Sequence, residues 1–193
     1  MGRTNNSSVW TEAGYKLYAE EGLEGIQVER LSRMLGLNKS GFYHYFGNLD
    51  GYCKELIGLH EKAAVSFLDD LKEIKNIEPD FFHLLIRHKV PVMFQMQILR
   101  NRKHTLFVTV AERIHEEEDL ILRPLWSVYL GIQDRPDLAI RYFAIVRDMF
   151  YARITFKDYN YPFLQNLITE AKVVMQQLNE SNLTLEADEF ASE

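Results

Sequence analysis

Gln27-Val-Glu-Arg-Leu-Ser-Arg-Met-Leu-Gly-Leu-Asn-Lys-Ser-Gly-Phe-Tyr-His-Tyr-Phe46 reads as two short helices hinged at one glycine. In its first half Val28, Leu31, Met34 and Leu35 recur at spacings of three and four, which places them on one helix face and leaves Glu29, Arg30, Ser32 and Arg33 on the other. Gly36 follows the last periodic residue and can take the left-handed conformation that a tight helix ending needs. Asn38 is a good N-cap, so a second helix starts at about Lys39. On it Phe42 and Phe46 share a face, while Tyr43 and His44 point elsewhere. Two rigid helices joined by a short glycine-containing turn have the geometry that lays the second helix in the major groove of DNA, its N-terminal residues at the base edges. Lys39, Ser40, Gly41, Tyr43 and His44 are the candidate readers. Gly41 costs a helix about 1 kcal/mol relative to alanine, but its missing side chain lets the backbone sit close to a base edge or phosphate. The competing reading is an ordinary helical hairpin with an aromatic core.

Outward from this stretch, residues 1 to 8 are polar and carry no helix signal; Arg3 could reach a phosphate or minor groove as a mobile arm, against the plainer reading of a floppy terminus. A first helix is expected from about Val9 to Glu21, ended by Gly22, with Leu23 to Ile26 linking it to the pair of helices. After Phe46, Asn48 caps a long helix carrying Leu56, Leu59, Ala63, Phe67 and Leu71 inward to about Lys75.

With these flanks in view, Trp10 to about Leu56 resembles the N-terminal DNA-binding domain of the tetracycline-repressor (TetR) family of bacterial regulators. Trp10, Ala13, Leu17 and Tyr18 match the apolar face of that family's first helix, and Glu21-Gly22 its end. Gly36-Leu37-Asn38-Lys39 and Tyr43-His44-Tyr45-Phe46 match the turn and recognition helix. The departures are Gln27 where a threonine commonly caps, Ser40-Gly41 in place of Gly-Thr, and Leu49 at a site often held by a phosphate-contacting lysine. The resemblance implies DNA contacts from Gln27, Asn38, Lys39, Ser40, Gly41, Tyr43, His44 and Lys54. It also implies a helical body that dimerises through its final two long helices, a pseudo-palindromic operator, and a small-molecule effector whose binding swings the helix that follows Phe46 and changes the spacing of the heads.

The formal net charge of -6 is located mostly in one place. Glu180 to Glu193 holds five acidic side chains and no Lys or Arg, whereas residues 1 to 56 hold six basic against seven acidic side chains. The acidity is thus a tail effect that does not veto DNA, although no strongly basic face exists. The chain has one cysteine, Cys53, which excludes an internal disulfide and a CxxC zinc site. No apolar run approaches the length of a membrane span and the N-terminus lacks a signal-peptide core, so a soluble cytoplasmic protein is expected.

The rest of the chain keeps a helical pattern with no hairpin signal. Pro79-Asp80 opens a helix that Pro91 should kink or end near Lys89 and Val90. Arg100 to Lys103 marks a loop before a helix from about His104, which continues or restarts around Pro124 and closes at Gly131. Pro136 opens a long helix to about Phe156, and Tyr161-Pro162 opens the last, ending near Asn179. The helix from Pro136 is apolar over more than one stripe, so either it is central or a second subunit covers it. Leu138, Tyr142, Ile145 and Met149, with Leu164, Leu167, Ala171 and Val174 on the next helix, form the candidate dimer seam; the alternative is a large monomeric core. Phe82, Phe94, Phe107, Trp126, Tyr129 and Phe150 are candidate linings of an effector pocket, weighed against plain core packing, with His83, His104, Arg113 and Arg147 as candidate polar anchors. His115 to Asp119 suggests a metal or acid/base site only superficially, because consecutive helical residues diverge; it reads as a charged, solvated helix end. No nucleophile-base pair, phosphate loop or metal spacing occurs, so the chain reads as neither an enzyme nor a cofactor carrier.

These observations predict an all-α protein with three parts: a helix-turn-helix domain over 1–48, a helical regulatory and dimerisation domain over 49–179, and an acidic, disordered tail over 180–193. The function implied is a ligand-responsive transcriptional regulator, a repressor by the family's habit, binding operator DNA as a homodimer. The alternative is an all-helical interaction protein or enzyme that has lost DNA recognition.

Overall fold

In the computed structural model the described residues are 6–102 and 105–174. The segments 1–5 and 175–193 lie outside them, and with these the Arg3 arm and the acidic tail; His104 lies outside them too. All regular structure among the described residues is helical.

Helix α1 spans Asn6–Glu21, three residues earlier than the sequence pattern suggests, since Ser7 and Ser8 tolerate a first helical turn and the Ser7 carbonyl accepts from the Thr11 hydroxyl at 3.0 Å. Then come α2 (Val28–Leu35), α3 (Lys39–Phe46) and α4 (Leu49–Lys72). These pack around Trp10, whose ring meets Phe42 edge-on at 5.4 Å, and around Tyr52, whose hydroxyl donates to the Trp10 carbonyl at 2.6 Å. Tyr52 can reach that carbonyl only because Gly14 has no side chain: a Cβ there would lie 1.7 Å from the phenol oxygen. Of the apolar stripe on α2, Leu31 is fully buried and Val28 and Leu35 are half-buried, but Met34 is exposed, so the inward stripe is narrower than its spacing suggests.

The body is built from α5 (Phe82–Arg87), α6 (Lys89–Asn101), α7 (Thr105–Leu130), α8 (Pro136–Arg153) and a helix over 161–174, here α9. The break between α5 and α6 falls at His88, three residues before Pro91, which stands instead in the first turn of α6, where a missing N–H leaves no gap. Pro124 interrupts nothing visible: α7 runs through it to Gly131, whose φ of 69° ends the helix. Head and body share one continuous core, with α1 packed most extensively against α6 and α4. Two polar clasps tie distant segments together. Arg100 donates from Nε to the Tyr151 carbonyl and from Nη2 to the Ile154 carbonyl, each at 2.8 Å. Glu78 accepts from Tyr129, Tyr161 and Gln165.

Candidate nucleic-acid interface and the cavity behind it

The turn between α2 and α3 is made as its residues dictate. Gly36 adopts φ 63°, ψ 27°, the left-handed conformation that a side chain would strain, and Ser32 Oγ donates to the Leu37 carbonyl at 2.5 Å. The Asn38 side chain accepts from the Ser40 amide at 3.0 Å, capping α3. Its oxygen is therefore committed to the fold, and only the amide nitrogen is left for a ligand. Phe42 is fully buried and Phe46 nearly so, which turns Ser40, Gly41 and His44 to the outer face and leaves Lys39 and Tyr43 on its flank. Tyr43 is 52% exposed and Tyr45 41%, whereas Phe42 and Phe46 of the same helix are in the core. A Cβ on Gly41 would meet nothing nearer than Tyr45 at 3.9 Å, so packing does not require a glycine there. Gln27 sits at the N-cap of α2, makes no side-chain cap bond and is exposed, as is Lys54 on α4.

The charges on this face are partly spent. Lys39 Nζ pairs with Glu29 Oε1 at 2.9 Å, and Arg30 makes a two-point pair with Glu21. These contacts hold the Glu29 and Glu21 carboxyls below the usual carboxylate range, through the hydrogen bond first and charge second. Both pairs are solvent-exposed, so each is worth little to stability and can be exchanged for a phosphate at small cost. Leu49, 39% exposed, puts no charge where it stands.

Behind the head lies a partly open cavity of about 80 Å³ lined by Phe81 and by residues of α4 to α9. Three of the aromatic candidates line it: Phe82, Trp126 and Phe150. Three do not. Phe94 stacks on Tyr15 at 4.4 Å and packs on Tyr18 and His60, and Phe107 meets Tyr18 at 5.7 Å, so both belong to the junction of head and body. Tyr129 is drawn away by its bond to Glu78 and the Lys172 ammonium 3.7 Å from its ring centre. The rings' inward stripe was legible, but which ring ends at a void depends on how six helices meet. Trp126 is buried, with an indole N–H that has no acceptor among the described residues.

The polar lining holds most of what sequence reasoning missed. His60, Gln95, Glu118 and Tyr151 join Arg147 there. Gln95 Nε2 donates to the Ala111 carbonyl at 2.8 Å, which turns its oxygen toward His60 Nε2 at 2.7 Å; that nitrogen must donate, leaving Nδ1 to accept from the Tyr15 hydroxyl at 2.9 Å. His60 is thereby fixed as one neutral tautomer, and burial lowers its pKa to about 4. Periodicity could have flagged it, since it falls four positions after Leu56, three after Ile57 and four before Ala64, all buried on the same face of α4. The segment His115 to Asp119 is not a solvated helix end: it lies in mid-α7, where Glu116 and Glu117 are exposed and the other three turn inward. His115 Nε2 meets Tyr151 Oη at 2.6 Å, and burial holds its pKa down at about 3. Asp119 pairs with Arg147 at 2.6 Å, and burial raises Glu118 to about 7. Of the other anchors, Arg113 pairs with Glu61 and His83 is exposed beside Tyr161.

The candidate dimer seam divides. Tyr142, Leu164, Leu167 and Ala171 are buried within the protomer, Leu164 and Leu167 against the cavity, and so cannot touch a partner; the helices' apolar excess is consumed by the cavity wall. Leu138 and Met149 are half-buried, and Ile145 (57%) and Val174 (52%) remain exposed. Among the described residues no group of His, Cys, Asp or Glu is placed to hold a metal, and no helix is long and apolar enough to cross a membrane.

Residues 11–51 match the sequence model of the bacterial regulatory proteins, tetR family. Among solved structures, a transcriptional regulator (TerR/AcrR family) from Aquifex aeolicus VF5 is similar at a TM-score of 0.56 and 17% identity, over 90% of this chain and 99% of that one. At that identity the likeness speaks for the fold. No curated protein matches. The matched span is the one whose cap, left-handed glycine and outward-facing α3 have just been described, so over residues 11–51 the chain carries a head of the tetR-family type.

Proposed function

We propose that the chain acts in the cytoplasm as a homodimeric repressor, with α3 of each protomer reading one half of a pseudo-palindromic operator and a small apolar or amphipathic molecule in the body cavity governing release. The observation that carries this reading is the bridge from cavity to head. His60 and Gln95 line the cavity, and through the Tyr15 hydroxyl they are bonded directly to α1, the helix on which α2 and α3 rest. A ligand that displaces His60 or Gln95 must break or move that bond, so it interacts differently with the two arrangements of the head, which is the requirement for coupling. The unmet Trp126 N–H supports a ligand bearing an acceptor. The exposed Ile145 and Val174 support a partner on α8 and α9.

The test is selection of binding sites from random DNA, followed by gel shift against the DNA upstream of the gene. A TetR-type regulator should recover an inverted repeat and bind it as a dimer, with Tyr43→Ala moving the shift to higher protein concentration. If no sequence is enriched and upstream DNA does not shift, the chain is an interaction protein with a retained helix-turn-helix.

A further inference from the structure

The cavity carries an imbalance of charge. Its walls are aromatic, with Phe67, Phe82, Trp126, Phe143 and Phe150 among them, and five polar side chains enter this surface. Four are engaged. His60 and Gln95 satisfy one another, Tyr151 Oη meets His115, and Arg147 is held by Asp119 at 2.6 Å with its guanidinium carbon 5.6 Å from the Phe143 ring centre. Glu118 has no hydrogen bond and no ion pair among the described residues. Among the described residues the cation that acts on it is Arg147, which is shared between two carboxylates, Glu118 and Asp119, and bonds only the second. Glu118 is half-buried, and a carboxylate partly withdrawn from water without a partner is costly to keep charged, a cost that an incoming cation offsets. Aromatic faces add to the preference, because their quadrupole attracts positive charge. An anion would meet Glu118 with no free cation among the described lining residues to receive it.

Resting on the reading of the cavity as an effector site, we propose that its ligand is a singly charged lipophilic cation, an amine or quaternary ammonium on an aromatic or branched body, with Glu118 as counter-ion. Three compounds of nearly equal shape isolate the charge: phenyltrimethylammonium, tert-butylbenzene and benzenesulfonate. Each is titrated calorimetrically into the full chain and into Glu118→Gln, with operator binding measured alongside. The wild type should bind the cation about tenfold or more tightly than the neutral compound, with the anion weakest, and Glu118→Gln should bring cation and neutral compound to within about twofold. Glu118→Asp, which keeps the charge, should retain the cation preference, and it decides the matter should the glutamine variant not fold. Equal binding of cation and neutral compound by the wild type, or a preference that survives Glu118→Gln, overturns the proposal while leaving an effector site in place. Failure of all three to bind or to alter operator affinity overturns the proposal and the effector reading together.

Discussion

At the scale of single residues the recognition face is a balance between fold and ligand. Lys39 is held by Glu29, so on reaching DNA it trades one exposed partner for another. Glu29→Gln should therefore strengthen operator binding modestly, while Lys39→Ala and Tyr43→Ala should each weaken it by about 1 to 3 kcal/mol with the melting temperature nearly unchanged; operator titration and thermal melts on the same samples check both. Gly41 points the other way. Since a Cβ there meets nothing closer than 3.9 Å, Gly41→Ala should stabilise the free protein by up to about 1 kcal/mol and still bind DNA less well. A variant that gains stability and loses no affinity would show that the glycine is not there for DNA. Gly14 is different again, because its space is already taken by the Tyr52 phenol, and no local pattern in the sequence announces that contact.

At the scale of elements, α4 packs against both head and body, and at His60 it is bonded to α1 and α6 at once. The groups facing His60 are the Tyr15 phenol from α1, the Gln95 amide from α6 and His115 from α7, with Glu61 beside it on α4. Its folded pKa of about 4 lies below the unfolded value of 6.5, so its contribution to stability is present above pH 6.5 and is lost as pH falls toward 4, on the order of 3 kcal/mol if the whole shift is expressed. Glu118 has the opposite sign: raised from 4.5 to about 7, it contributes most below pH 4.5 and loses that contribution as pH rises through 7. Melting temperature measured from pH 4 to pH 8 should thus fall less steeply on the acid side in His60→Gln than in wild type, and should fall less on the alkaline side in Glu118→Gln. Identical acid limbs in wild type and His60→Gln would show that His60 is not buried neutral.

At the scale of the whole molecule, assembly and DNA affinity are set by what the surface has left over. Ile145 is exposed on α8, so Ile145→Asp should split a dimer into folded monomers, with the effect appearing twice across a two-fold seam; sedimentation and melting read the two quantities separately. Leu167→Asp, by contrast, places a charge against the cavity and should unfold the protomer itself. With six basic against seven acidic side chains over residues 1–56 and Leu49 uncharged, few phosphates are neutralised, and operator affinity should fall less with added salt than for a basic repressor.

The sequence by itself determined the helix-turn-helix: its stripe, its left-handed Gly36, its Asn38 cap and its Phe42/Phe46 core lie within twenty residues, where helical spacing alone assigns neighbours. The helical class of the body was legible for the same reason. Tertiary structure alone decided which apolar residues face a void, which face a neighbouring helix and which face solvent. Phe94 and Phe150 sit in equally apolar stripes, yet one stacks on Tyr15 and the other lines the cavity; Leu167 and Ile145 likewise parted, one inward and one exposed. The Tyr15, His60 and Gln95 chain joins residues 45 and 35 positions apart. Such separations carry no periodicity, and only the crossing of α1, α4, α6 and α7 brings those groups within hydrogen-bonding distance.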